Sequence, residues 1–121
     1  MLTAEKKHFE LRETGDVTVV TLTDEKIFNY QQIQDLGKQL LRLVDEENRT
    51  KILIDFSRVQ FMSSPMFSKL ITLRVKINGR HGCLVLCGLI PGIYEVFGIT
   101  GLNRHFDICE TETDSLRLFK D

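Results

Sequence analysis

The sequence predicts an α/β domain, with a mixed, mainly parallel sheet of about 4 to 5 strands opened by an N-terminal hairpin and covered by about 4 helices. Three features point that way. From Asn29 onward, segments of helical periodicity alternate with apolar runs of strand length, an order that demands parallel strands joined by helical crossovers. The run Lys51–Phe56 is almost continuously apolar, as in strands covered on both faces. Ahead of both, two strand-like runs flank Gly15-Asp16, a hairpin signal.

His8–Glu13 and Val17–Thr23 read as the paired strands, the second carrying Val17, Val19, Val20 and Leu22. Asp24–Phe28 follows as a charged loop, and Asn29 with Gln32 three residues later has the form of a capping box at a helix start. Ile33, Leu36, Leu40, Leu41 and Val44 continue as an apolar stripe to about Glu47, where Asn48-Arg49-Thr50 breaks the pattern. After the central strand, Ser63-Ser64-Pro65 precedes a second stripe of Met66, Phe67, Leu70, Ile71, Leu73 and Ile77. Proline suits the first helical position, where its missing N–H costs nothing, and a serine before it can cap the first turn. Ser64 is therefore the predicted N-cap. Both serines would then face the positive end of a helix dipole, which favours a phosphate or another anion. Asn78–Gly82 turns the chain into a strand at Cys83–Cys87. Pro91 starts a short helix holding Ile93, Val96 and Phe97 and ending near Thr100-Gly101. His105–Cys109 reads as the last strand, and Thr113–Lys120 as a closing helix with Leu116 and Phe119 inward.

No linker, repeat or low-complexity segment interrupts the chain, so residues 1–121 are expected to form one domain, with the polar residues 1–7 outside its ordered part. Hydrophobic residues at 42% and charged residues at 27% fit a globular domain. Sixteen basic against seventeen acidic side chains give a formal net charge of −1, which leaves no global field to recruit nucleic acid or anionic lipid. Arg74, Lys76, Arg80 and His81 come closest to a basic patch, but helical spacing mixes them with core positions, as on a solvated face. No apolar run approaches the ~20 residues of a membrane-spanning helix. Cys83, Cys87 and Cys109 are an odd set behind a polar N-terminus, which predicts reduced thiols and a cytoplasmic location. Cys83 and Cys87 share one strand face as small core residues.

A search for reaction chemistry finds no constellation. Ser63 and Ser64 stand between a strand and a helix, where an esterase elbow places its nucleophile, but the glycines of G-x-S-x-G are missing and Pro65 fills the next position. No phosphate-cradling glycine motif is present, and His8, His81 and His105 are too scattered to predict a metal site. Asp55 ends its strand near the serines, an ordinary place for a carboxylate. No enzymatic activity and no cofactor are expected. The loops at Asp24–Phe28 and at the serines both follow strand ends, and such loops share one edge of a parallel sheet, where a partner can dock. Phe28 and Met62 lie within them, as contact anchors or as hydrophobes that close the core.

This order of elements resembles the STAS domain, the fold of bacterial anti-sigma factor antagonists. The resemblance spans nearly the whole chain. ILIDFSRVQFMSSPMFSKLI is similar to the family's strand, switch loop and helix, and CLVLCGLIPGIYEVFGITGLNRHFDI to its later strand, proline-started helix and "TGL". The resemblance implies a non-enzymatic regulatory module whose partner is an anti-sigma factor or a serine/threonine kinase of the GHKL type, with no role for nucleic acid or membrane and a monomeric or weakly dimeric state. It implies partner contacts at Asp24, Glu25, Phe28, Asn29, Met62, Ser63, Ser64, Pro65 and Met66. It also implies phosphorylation of a loop hydroxyl, but the sequence departs from the pattern there. In an ungapped match, the family's aspartate falls on Ser63, its first serine on Ser64, its phosphorylated residue on Pro65 and its glycine on Met66. Ser64 and Ser63 are then the displaced candidates. The alternative is a scaffold that never accepts phosphate, or a module binding a small anion or nucleotide at the helix start.

Overall fold

In the computed structural model, which describes residues 6–119, five strands form one sheet in the order β1-β2-β4-β6-β7. β1 (Phe9–Thr14) and β2 (Val17–Leu22) are the antiparallel hairpin, turning at Gly15 with φ 63°. β2, β4 (Lys51–Asp55), β6 (Cys83–Cys87) and β7 (Asp107–Cys109) run parallel, with α1 (Tyr30–Asp45), α2 (Ser64–Gly79) and α3 (Pro91–Thr100) between them. A 3-10 turn at Leu102–Arg104 occupies the approach to β7, and the short α4 (Glu112–Arg117) follows it. Lys120, expected in the closing helix, lies outside the described residues, as do residues 1–5 of the N-terminal segment.

Alternation along the strands sorts the side chains into two cores. Val20, Leu22, Ile52, Ile54, Leu84 and Leu86 face α1, α2 and α3, where they meet Ile33, Leu36, Leu40, Met66, Leu70 and Phe97. Val17, Val19, Leu53, Val85 and Cys87 face the other way, under Phe119 and Leu116. Both faces of β4 are therefore dry, which is why its sequence is apolar without alternation. Ile52, Leu53 and Ile54 are fully buried, and truncating any of them to alanine would cost about 2–5 kcal/mol. β1 sits at the edge with only Phe9 buried.

The stripes differ from expectation in detail. On α1, Leu43 is buried and Leu41 only partly so. Ile71 on α2 and Val96 on α3 are exposed, at 38% and 37%, because each is next in sequence to a residue that already faces the sheet. The expected charged loop at 24–28 holds a short strand: β3 (Lys26–Ile27) pairs in parallel with β5 (Phe61–Met62) as a second, two-stranded sheet.

Candidate partner-binding site

The β3–β5 pair joins the two loops that follow β2 and β4. Gln60 and Phe61 both donate backbone N–H bonds to the Glu25 carbonyl, at 2.7 and 3.2 Å, and Ser63 donates to the Ile27 carbonyl at 2.8 Å. Alternation then divides the residues. Ile27 and Met62 turn inward, while Lys26 and Phe61 turn outward. Phe28 and Phe61, 60% and 51% exposed, meet edge to face with ring centroids 6.5 Å apart. Beside them, Phe61, Phe67, Ile90 and Val96 line an apolar cleft of about 270 Å³.

A side-chain network holds the first loop from behind. Asn29 and Gln32 form a complete capping box: Gln32 N donates to Asn29 Oδ1 at 3.2 Å and Asn29 N to Gln32 Oε1 at 3.1 Å. The Gln32 amide nitrogen also donates to the Lys26 carbonyl at 2.7 Å and to Asp24 Oδ2 at 3.0 Å. Asp24 in turn lies 2.5 Å from Nδ1 of His8, which is buried and whose backbone N–H bonds Gln39 Oε1 of α1 at 3.2 Å. Asp24 is thus half-buried and occupied, a support of the loop rather than a bare contact.

The second loop is held at both ends. The Asp55 carboxylate accepts the Ser57 N–H at 2.9 Å, so it closes a local turn. Gly88 packs against that turn at φ 73°, where a Cβ would lie 2.8 Å from Asp55 Oδ1. At the other end the N-cap of α2 is Ser63, not Ser64 as expected, and Pro65 takes the second helical position rather than the first. The bond from Ser63 N to Ile27 holds Ser63 extended, so winding starts one residue earlier than the proline alone predicts. The Ser63 side chain does not cap the helix. Its Oγ is buried and has no hydrogen-bond partner among the described residues. Ser64 and Pro65 are exposed on the first turn. Met66 is fully buried and Met62 nearly so, and both pack beneath the loop.

On the joined loops Glu25, Phe28, Asn29, Ser64 and Pro65 are exposed, whereas Met62, Met66 and the Ser63 hydroxyl are buried. Sequence reasoning missed Phe61, and also Tyr30, which is 75% exposed at the start of α1. The signal for Phe61 was the inward Met62 beside it, since neighbours in a strand point to opposite faces.

Other chemistry lies elsewhere. All three cysteines are free thiols, and burial pushes Cys87 up to about 11 and raises Cys83 as well. Among the described residues no cluster of His, Cys, Asp and Glu side chains could hold a metal ion, and no helix is long and apolar enough to cross a membrane.

A family model for the STAS domain matches residues 8–115. BtrV of Bordetella bronchiseptica, assigned as a candidate anti-sigma factor antagonist, is 27% identical over 94 residues, covering 78% of this chain and 80% of that protein. Among solved structures, an anti-sigma factor antagonist from Mycobacterium paratuberculosis has a TM-score of 0.81 at 20% identity, covering 93% of this chain and 93% of its own. The phosphorylated form of SpoIIAA, a Bacillus cell fate determinant, has a TM-score of 0.70 at 18% identity, covering 93% of this chain and 99% of its own.

Proposed function

The chain belongs to the STAS domain family, and from that premise we propose that it is a non-enzymatic regulatory module of the anti-sigma factor antagonist type. It docks an anti-sigma factor or a GHKL-type serine/threonine kinase in the cytoplasm, as a monomer or weak dimer. The observation that supports this reading is the β3–β5 pair, which joins two loops distant in sequence and sets exposed Phe28 against exposed Phe61, three residues before exposed Ser64. Paired aromatic side chains supply the apolar centre that an interface needs, and the polar loop residues supply its rim.

Ser64 is the acceptor in this reading. Its side chain is exposed on the first turn of a sixteen-residue helix, whereas the Ser63 hydroxyl is turned inward. A phosphate there adds nearly two negative charges at the positive end of the helix, which stabilises the helix start and changes the charge of the docking surface. Binding and release then follow from one local change.

The test is incubation of the purified protein with ATP and a purified GHKL-type kinase from its own genome, followed by phosphopeptide mapping. One phosphate on Ser64 is expected, lost in Ser64→Ala and kept in Ser63→Ala. A kinase that binds without transferring phosphate would leave the scaffold reading in place of the switch. Failure of every such kinase and anti-sigma factor to form a complex would overturn the docking role.

A further inference from the structure

At the opposite edge of the sheet, where β6 and β7 begin, lies a polar cleft of about 290 Å³. It is lined by Arg74 and Asn78, one helical turn apart on α2, and by Arg104, His105 and Asp107 around buried Phe106. The arginines there differ from the rest. Arg12, Arg49, Arg58, Arg80 and Arg117 each pair with a carboxylate, and Arg42 is also engaged. Arg74 and Arg104 are the two whose guanidinium groups have neither hydrogen bond nor ion pair among the described residues, and both line this one cleft.

The surrounding charges sharpen the contrast. Of the basic residues near the end of α2, Lys76 and Arg80 are drawn to Asp45, whereas Arg74 lines the cleft together with Arg104. Asp107 is in the cleft but within ion-pair distance of neither arginine, so two cations stand against one carboxylate. The backbone that carries Arg104 and His105 is set: Gly101 ends α3 in a left-handed conformation, Arg104 N donates to its carbonyl at 3.2 Å and His105 N to that of Leu102 at 2.9 Å. Two guanidinium groups lining one cleft without a paired carboxylate leave positive charge uncompensated there, and an oxyanion in the cleft offsets that charge while accepting from their planar forks.

We propose that this cleft binds a small phosphomonoester, with the phosphate held by Arg74 and Arg104, donors from Asn78 and His105 completing the oxyanion shell, and Asp107 accepting from a hydroxyl of the ligand body. The site is separate from the docking surface and independent of the function assigned to it.

The test is titration of the isotope-labelled protein with inorganic phosphate, followed by amide NMR, against sodium chloride at matched ionic strength. Saturable shifts at Arg74, Asn78 and 104–107 are expected, with binding weakened roughly tenfold or more in Arg74→Ala and in Arg104→Ala. Both variants should fold, since neither side chain has a partner to lose. Ribose 5-phosphate should bind more tightly than phosphate, and Asp107→Asn should abolish that gain. Identical shifts with chloride, shifts confined to the residues around Ser64, or affinity unchanged in both arginine variants would overturn the site. Equal affinity for phosphate and ribose 5-phosphate would overturn the phosphomonoester assignment.

Discussion

Ser63 carries a conflict within a single side chain. Its backbone N–H is bonded within the β3–β5 pair, and its Oγ is buried with no hydrogen-bond partner among the described residues. A buried hydroxyl without a partner is costly, so Ser63→Ala should leave stability unchanged or raise it by up to about 1 kcal/mol in urea unfolding. A loss larger than that would reveal a partner for the hydroxyl. Gly88 is the reverse case. It adopts φ 73° against the Asp55 turn, where a Cβ would lie 2.8 Å from Oδ1, and Gly88→Ala should destabilise the protein by about 1–3 kcal/mol in the same measurement. At Cys87, a thiol pushed up to about 11 is almost wholly protonated at pH 8. Iodoacetamide should therefore leave Cys87 unmodified in the folded protein and label it after unfolding, as read by mass spectrometry.

Among the elements, α1 was the most legible from sequence, and the reason is local. Asn29 and Gln32 are three residues apart, and their reciprocal bonds involve nothing outside the helix start. β3 and β5 were not legible, because strands of two residues have no periodicity and acquire their identity only by pairing with each other. The shift of the N-cap from Ser64 to Ser63 has the same source: proline and serine preferences are local, while the bond to Ile27 that holds Ser63 extended comes from a segment far away in the chain. That the two loops share one edge could be anticipated from the parallel order of strands, but which loop residues face outward depended on that pairing. Gln32 links the two levels, since it caps α1 and also ties down Asp24 and Lys26. Gln32→Ala should cost about 1–2 kcal/mol, and hydrogen exchange at 26–29 should accelerate more than in the rest of α1. Uniform acceleration along the helix would mean that the loop is held by other means.

Over the whole molecule, the two ends of the parallel strands carry different groups. The carboxyl edge carries the joined loops with Phe28, Phe61 and Ser64, and the amino edge carries the arginine cleft. Since Phe28 and Phe61 are exposed, replacing both with alanine should change folding stability by no more than about 0.5 kcal/mol each, and any loss of binding can be read as loss of contact. The most direct test of the docking surface is an amide NMR titration of the full chain with a purified GHKL-type kinase or anti-sigma factor from the same genome. Perturbations should cluster at residues 25–30 and 60–66 and disappear in the Phe28→Ala, Phe61→Ala double variant. A partner that instead perturbs β1 or α4, or that binds the double variant with unchanged affinity, would contradict it.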